Sequence, residues 1–367
     1  MKTTKKAAFS GVALAASALL LAGCGSAPEE TTGGEEVDSD FSPCLISDAG
    51  GWNDRSFNQS AKEGMDRAAE ELGIDVTEME STSANDYAPN LEELVAQGCS
   101  LIISVGFNLS AATVESALAN PEIDYAIIDD WADNDFDGEV DAPNIKPLVF
   151  DTAQAAYLGG YAAAAWSAQS GVNKVGTFGG MQIPSVAVFM DGFQYGVEKY
   201  NEDKGAAVEV VGWDAEAQSG SFTGAFDAND VARQTAQGVL DQGVDVILPV
   251  GGPIYTSAAA AIADSGEDVL LMGVDSDLAV KEPDLADIVF VSIEKAIDQA
   301  VYDATVTAST GDFDVEPYIG TLENEGVALS SFHDFESQLP EGLVDELATL
   351  QEQIVSGDIV VESENSP

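Results

Sequence analysis

Apolar and polar positions follow two rhythms along this chain. Short apolar runs at Cys44–Ile46, Ile74–Met79, Leu101–Val105, Tyr125–Ile128 and Leu148–Phe150 have the length of buried strands. Between them apolar residues recur at helical spacing. Phe57, Ala61, Met65, Ala68, Ala69 and Leu72 form one stripe, with Glu63, Asp66, Glu70 and Glu71 on the outer arc and Asp54 or Ser56 placed to cap. Leu91–Gln97 and Ala111–Leu118 are predicted helices of the same series. A second series follows, with strands at Lys174–Phe178, Val208–Trp213, Val244–Val250 and Val269–Val274. Its predicted helices are Val188–Tyr200, Val231–Asp241 and Thr256–Ala263, and an alanine-rich buried helix, Leu158–Ser167, opens it. Strand–helix alternation predicts parallel sheets, and two successive sets predict an α/β protein of two similar lobes with a ligand cleft between them.

The loops that follow these strands carry the chemistry. Asp48-Ala49-Gly50-Gly51-Trp52-Asn53-Asp54-Arg55-Ser56-Phe57 pairs glycines for a tight turn with carboxylates, an amide and aromatic rings. Gly106-Phe107-Asn108, Asp129-Asp130-Trp131, Gly179-Gly180-Met181, Gly251-Gly252-Pro253 and Asp275-Ser276-Asp277 each follow an apolar run. Carboxylates, amides and rings suit a neutral hydroxylated ligand with a planar or apolar face.

Enzyme chemistry finds little support. The one histidine, His333, stands near the C-terminus, and no serine lies in a nucleophile-elbow pattern. One histidine and three cysteines are too few for His/Cys metal sites, and the pairs Asp129/Asp130 and Asp275/Asp277 lack calcium-loop spacing. Gly176, Gly179 and Gly180 fit neither a phosphate loop nor a dinucleotide fingerprint. No cofactor and no metal are expected.

The ends set the compartment. Lys2, Lys5 and Lys6 precede an apolar run from Ala13 to Ala22, and Leu21-Ala22-Gly23-Cys24 matches the lipobox at which a cysteine is lipidated. Residues 1–23 are therefore expected to be a signal peptide. Residues 24–42, rich in Glu, Gly, Ser and Thr, are expected to form a flexible linker tethering the protein to the outer face of the cell membrane.

Charge narrows the partners. The chain has 65 acidic residues against 13 lysines and arginines, a formal net charge of −52. Such a field repels polyanions, so nucleic acid and anionic ligands are not expected partners. An acidic surface also holds water where salt screens other interactions, which fits a saline habitat. Cys44 and Cys99 each open a strand-like run; outside the cytoplasm a disulfide is the favoured state, with two buried thiols the alternative.

Taken together, the lipobox, the segment Asp48 to Asn58, Gly106-Phe107, Tyr125 to Asp129, Tyr157 to Tyr161, Phe189-x-x-Gly192-Phe193 and Gly273 to Asp277 resemble the basic membrane protein family. These are lipoproteins that bind substrate for ABC transporters, of the purine nucleoside receptor type. The resemblance covers nearly all of the chain after Cys24 and implies a type I periplasmic-binding-protein fold of two Rossmann-like lobes. It implies a nucleoside held by two stacking rings and by carboxylates on its ribose, then delivered to a membrane permease. On this pattern Phe57 matches one ring, although its position also belongs to the core stripe, and Phe222 or Phe226 supplies the other. Asp48 and Asn53 match polar contacts, Asp129 and Asp275 follow strands in the two lobes and are expected to meet the ribose or ring nitrogens from opposite sides, and Gly106, Phe107, Gly251 and Gly252 are expected beside them. Lys295 either meets the ligand or pairs with an acid. The lobes are expected at 43–150 plus 288–312 and at 151–287 plus 313–360, with crossovers near Phe150–Asp151, Asp287 and Asp312–Phe313. Pro253 and Tyr255 depart from the family's more glycine-rich loop, which leaves the ligand's identity open. The rival readings are a binding protein for a sugar or other small polar ligand and, more distantly, an enzyme acting on nucleosides.

Overall fold

The computed structural model describes residue 38 and residues 40–367. The expected signal peptide, lipidation at Cys24 and nearly all of the expected linker fall outside the described residues. Fourteen strands are found among them: β1 Pro43–Ile46, β2 Thr77–Met79, β3 Leu101–Val105, β4 Asp124–Ile128, β5 Ile145–Phe150, β6 Lys174–Gly179, β7 Glu209–Val211, β8 Trp213–Asp214, β9 Ser219–Gly220, β10 Val246–Val250, β11 Leu270–Asp275, β12 Val289–Lys295, β13 Tyr318–Gly320 and β14 Val327–Leu329.

Two six-stranded sheets result, in the orders β13-β5-β4-β3-β1-β2 and β14-β12-β11-β10-β6-β7, and β8 and β9 pair separately as a short hairpin. The strands β1, β3, β4 and β5 correspond one for one to β6, β10, β11 and β12. Every pairing in the two large sheets is parallel except β12 with β14. The α/β architecture is as the periodicity predicts. β1, β3, β10 and β11 are buried along their whole length, as befits strands covered by helices on both faces.

The chain passes between the sheets at other points than the sequence division gives. The first passage comes after β5, at Phe150–Asp151. The second comes after Lys295 and not near Asp287, because the apolar run Val289–Ile293 is a buried interior strand between β11 and β14. Residues 289–295, assigned by pattern to the first lobe, therefore belong to the second sheet. The third comes between Gly320 and Val327 and not at Asp312–Phe313, since β13 pairs with β5.

Two of the family-like segments bring a pair of helices into backbone contact. Tyr157 to Tyr161 lies on the helix Thr152–Ser170, and Phe189 to Phe193 on the helix Pro184–Lys204. A Cβ on Gly160 would stand 2.0 Å from the Phe193 carbonyl oxygen, and one on Gly196 2.0 Å from that of Tyr157. Glycine lets these two backbones touch.

Cys44 and Cys99 are joined by a disulfide, with Cα atoms 5.9 Å apart and 55 positions apart in sequence. It fastens β1 to the turn that opens β3. Replacing both cysteines with alanine is expected to cost about 3 kcal/mol of unfolding free energy, chiefly by freeing the unfolded chain. Urea titration of the two forms measures it, and a loss under about 1 kcal/mol would show that the bridge adds little.

Candidate functional site

The carboxyl ends of the two sheets face a cleft lined by residues from both. Ten of the twelve residues expected to contact ligand line it: Asp48, Phe57, Gly106, Phe107, Asp129, Phe226, Gly251, Gly252, Asp275 and Lys295.

The matching strand orders explain how residues far apart in sequence meet. Gly106 follows β3 and Gly251 follows β10, the equivalent strand, and both have left-handed backbone, with φ of 108° and 132°. Asp129 follows β4 and Asp275 ends β11, again equivalent, with φ of 61° and 66°. Aspartate tolerates this region better than most residues, but repeating it at the same point of both sheets marks a site held against backbone preference. Lys295 ends β12. Its Nζ lies 2.6 Å from Asp129 and 3.7 Å from Asp275, so one cation ties together an acid from each sheet. The same Nζ stands 4.9 Å from the Phe189 ring centre and 5.5 Å from that of Phe57. Burial pushes the Asp129 carboxyl above the usual carboxylate range, with Lys295 opposing. Of the two readings of Lys295, pairing with acids is thus met by the geometry.

The turn after β1 is built around two further buried acids. Asp48 Oδ1 accepts from the Gly50 amide and from Asn58 Nδ2, both at 2.8 Å, and its Oδ2 lies beside Gly106. Burial pushes the Asp48 carboxyl up to about 6. Asp54 accepts from the amides of Ser56, Asn58 and Gln59 and so caps the helix Phe57–Leu72. Ser56, the other candidate cap, reaches across the cleft to Asp275 Oδ2 at 2.7 Å. Ser60 bonds Ser276, and Glu63 bonds Lys281, so this helix grips the other lobe along one side.

Two expected contacts lie elsewhere. Asn53 is exposed in the turn after Gly51, and it is Asn58, in the first turn of the helix Phe57–Leu72, that bonds Asp48. Phe222 packs edge-on against Trp213 and over Gly179, below the cleft. Phe226, of the two candidates, reaches the lining. Its ring rests on two glycines: a Cβ on Gly180 would come within 2.3 Å of it and one on Gly251 within 2.6 Å. Phe57 is half-buried and lines the cleft, whereas Ala61, Met65 and Ala68 behind it are fully buried.

Asn108, in the expected Gly106–Asn108 loop, also lines the cleft, as do Asn58, Ser185 and Phe189, which were not among the expected contacts. Asn58 was within reach, since a polar residue on the buried stripe of a helix needs a partner. Sequence reasoning passed over Asp133-Asn134-Asp135-Phe136-Asp137-Gly138, whose acids alternate as in a calcium loop. Among the described residues, Asp133, Asp135 and Asp141 form a group whose carboxylate oxygens lie within 4.8 Å of one another, a set able to hold a divalent cation.

Comparison with known proteins agrees with this architecture. Residues 44–365 match the model of the Bmp family, described as ABC transporter substrate-binding protein PnrA-like. The chain belongs to this family. It is 30% identical to the ABC transporter nucleoside-binding protein BmpA of Lactococcus lactis subsp. cremoris (strain MG1363), over 97% of this chain and 98% of the relative. It is 31% identical to an uncharacterized lipoprotein of Pyrococcus abyssi (strain GE5 / Orsay), over 80% and 70% of the two chains. An ABC transporter solute-binding protein from Aeropyrum pernix K1 superposes with a TM-score of 0.73 at 28% identity, covering 87% of this chain and 92% of that one. This Bmp-family protein is accordingly a substrate-binding protein of an ABC transporter. No helix among its described residues is long and apolar enough to cross a membrane.

Proposed function

We propose that this protein captures a nucleoside, excluding its phosphorylated forms by charge, and hands it to a membrane permease while Cys24 anchors it by lipid outside the cell. The observation that carries the reading is the cleft's make-up: a phenylalanine from each lobe, Phe57 and Phe226, beside Asp48, Asp129 and Asp275. Rings supply a platform for a planar base, and carboxylates supply strong acceptors for ribose hydroxyls. With Asp54 the lining holds four acids to the single Lys295, a field that repels phosphate. The name of the Lactococcus relative supports a nucleoside, and that of the Pyrococcus relative a lipid anchor. Binding needs no covalent step, so an enzymatic role is not proposed.

Calorimetry with inosine, guanosine, adenosine, their monophosphates and a panel of sugars tests this. Nucleosides are expected to bind and monophosphates to bind far more weakly; a sugar that binds where no nucleoside does would overturn the reading. Acid should weaken binding. Asp48 is the stronger acceptor for a ligand hydroxyl when ionised, and burial pushes its carboxyl up to about 6. Affinity should therefore hold above that pH and fall by up to about tenfold per pH unit below it. Asp48→Asn should bind less tightly and lose this step, and an unchanged step in that variant would exclude Asp48 as its source.

A further inference from the structure

Asp191 is fully buried on the helix Pro184–Lys204, away from the cleft lining, although Ser185, Val186 and Phe189 of the same helix line it. A carboxylate offers about four acceptor sites, and here four donors meet them. Oδ1 accepts from Trp213 Nε1 and Gln218 Nε2, both at 2.9 Å. Oδ2 accepts from Ser363 Oγ at 2.6 Å and Asn365 Nδ2 at 2.8 Å. None of the four donors is a basic group. The first pair belongs to the β8–β9 hairpin and the second to a segment almost 150 residues later in sequence. Asn365 Nδ2 also donates to Gln218 Oε1 at 2.8 Å, which joins the two pairs directly.

What the hairpin carries gives this hub its consequence. Immediately after β9, Ser221 accepts from the Gly179 amide, and Thr223 and Gly224 donate back to the carbonyls of Gly179 and Gly180, so the chain runs along the edge of β6 up to Phe226 in the cleft. At the other end, Ser366 Oγ donates to Asp151 Oδ1 at 2.8 Å, at the first passage between the sheets. A continuous chain of bonds leads from the Asp151 passage through residues 363–366 and Asp191 to the hairpin and Phe226.

We propose that Asp191 and the segment 363–366 form a positioning element, which fixes the Phe226 loop in the cleft and ties it to the Asp151 passage. Removing the segment's two donors leaves Asp191 Oδ2 buried without a partner, so the carboxylate must shift and the hairpin with it. The proposal rests on Phe226 being a ligand platform, and its test separates the two claims.

The test uses Ser363→Ala/Asn365→Ala, with Asp191→Asn as an independent variant, each made in the parent and in Phe226→Ala. Amide exchange without ligand comes first: residues 213–226 are expected to exchange about tenfold faster while the β10 amides keep their rates. Inosine affinity comes second: the double substitution should weaken it about tenfold in the parent and less than twofold in Phe226→Ala, because the ring it positions is gone. Unchanged exchange over 213–226 overturns the positioning element, as does an equal affinity loss in both backgrounds. If the parent does not bind inosine, the nucleoside reading fails, and the exchange rates still decide whether the hub holds the loop.

Discussion

Replacing Lys295 with methionine is expected to lower stability by about 3–5 kcal/mol at pH 8, the range for removing one partner of a buried ion pair. Lys295 is nearly fully buried, as are Asp129 and Asp275, so its loss leaves two buried carboxylates without their counter-ion. The loss should depend on pH. Burial already raises the Asp129 carboxyl, and Lys295 is the main opposing influence. Without the lysine the folded-state pKa rises further above the unfolded value of about 3.9. A group with a raised folded pKa supports the fold while protonated and ceases to as pH rises through that pKa. The gap between variant and parent should therefore be small near pH 4 and widest at pH 8. Urea titrations of both proteins across that range measure it, and a gap below about 1 kcal/mol at pH 8 would mean that solvent reaches the acids. Lys295→Met/Asp129→Asn removes one stranded charge and should recover more than half of the loss at pH 8.

The fold was legible because periodicity reports burial, and burial here follows simple layers. Strands such as Leu101–Val105 are covered on both faces and read as continuous apolar runs; helices such as Phe57–Leu72 show a single stripe. The late passages between sheets were not legible. β13 and β14 are three-residue strands with half-exposed positions, too short for any periodicity to register, and they place residues 313–329 across both sheets. β12 looks like any other strand in sequence, and only its pairing with β11 assigns it to a lobe.

The site was legible where a residue follows a strand and less so where tertiary geometry decides. Asp129 and Asp275 could be named because each stands at the end of an apolar run. Their opposition across Lys295 depends on equivalent strands in two sheets, a relation that no local pattern carries. Asn53 stands exposed after Gly51, whereas Asn58 stands in the first turn of the helix and bonds Asp48. Phe222 and Phe226 belong to one loop, and the choice between them is made by Gly179, Gly180 and Gly251, which leave room for one ring above and one below. Asp191 was invisible as a functional candidate: it sits inside a family-like segment, and its partners lie 22 to 174 residues away.

Removing both rings, as Phe57→Ala/Phe226→Ala, is expected to weaken nucleoside binding by about 4 kcal/mol, roughly a thousandfold, since base stacking on an aromatic ring contributes about 1–3 kcal/mol. Each single variant should lose part of this. Stability should change less, because both rings are only half-buried and pack at the margin of the core. The glycines under Phe226 supply an independent check that leaves the ring in place. In Gly180→Ala the new methyl group would meet the Phe226 ring at 2.3 Å and must push it aside, and Gly180, unlike Gly251, has no left-handed backbone to complicate the change. If the ring acts as a platform, Gly180→Ala should weaken binding nearly as much as Phe226→Ala, and the two together no more than Phe226→Ala alone. Calorimetry with inosine on the four proteins of this cycle reads the outcome. Additive losses would mean that Gly180 meets the ligand or its loop by another route, and full affinity in Phe57→Ala/Phe226→Ala would remove the rings from the recognition of the base.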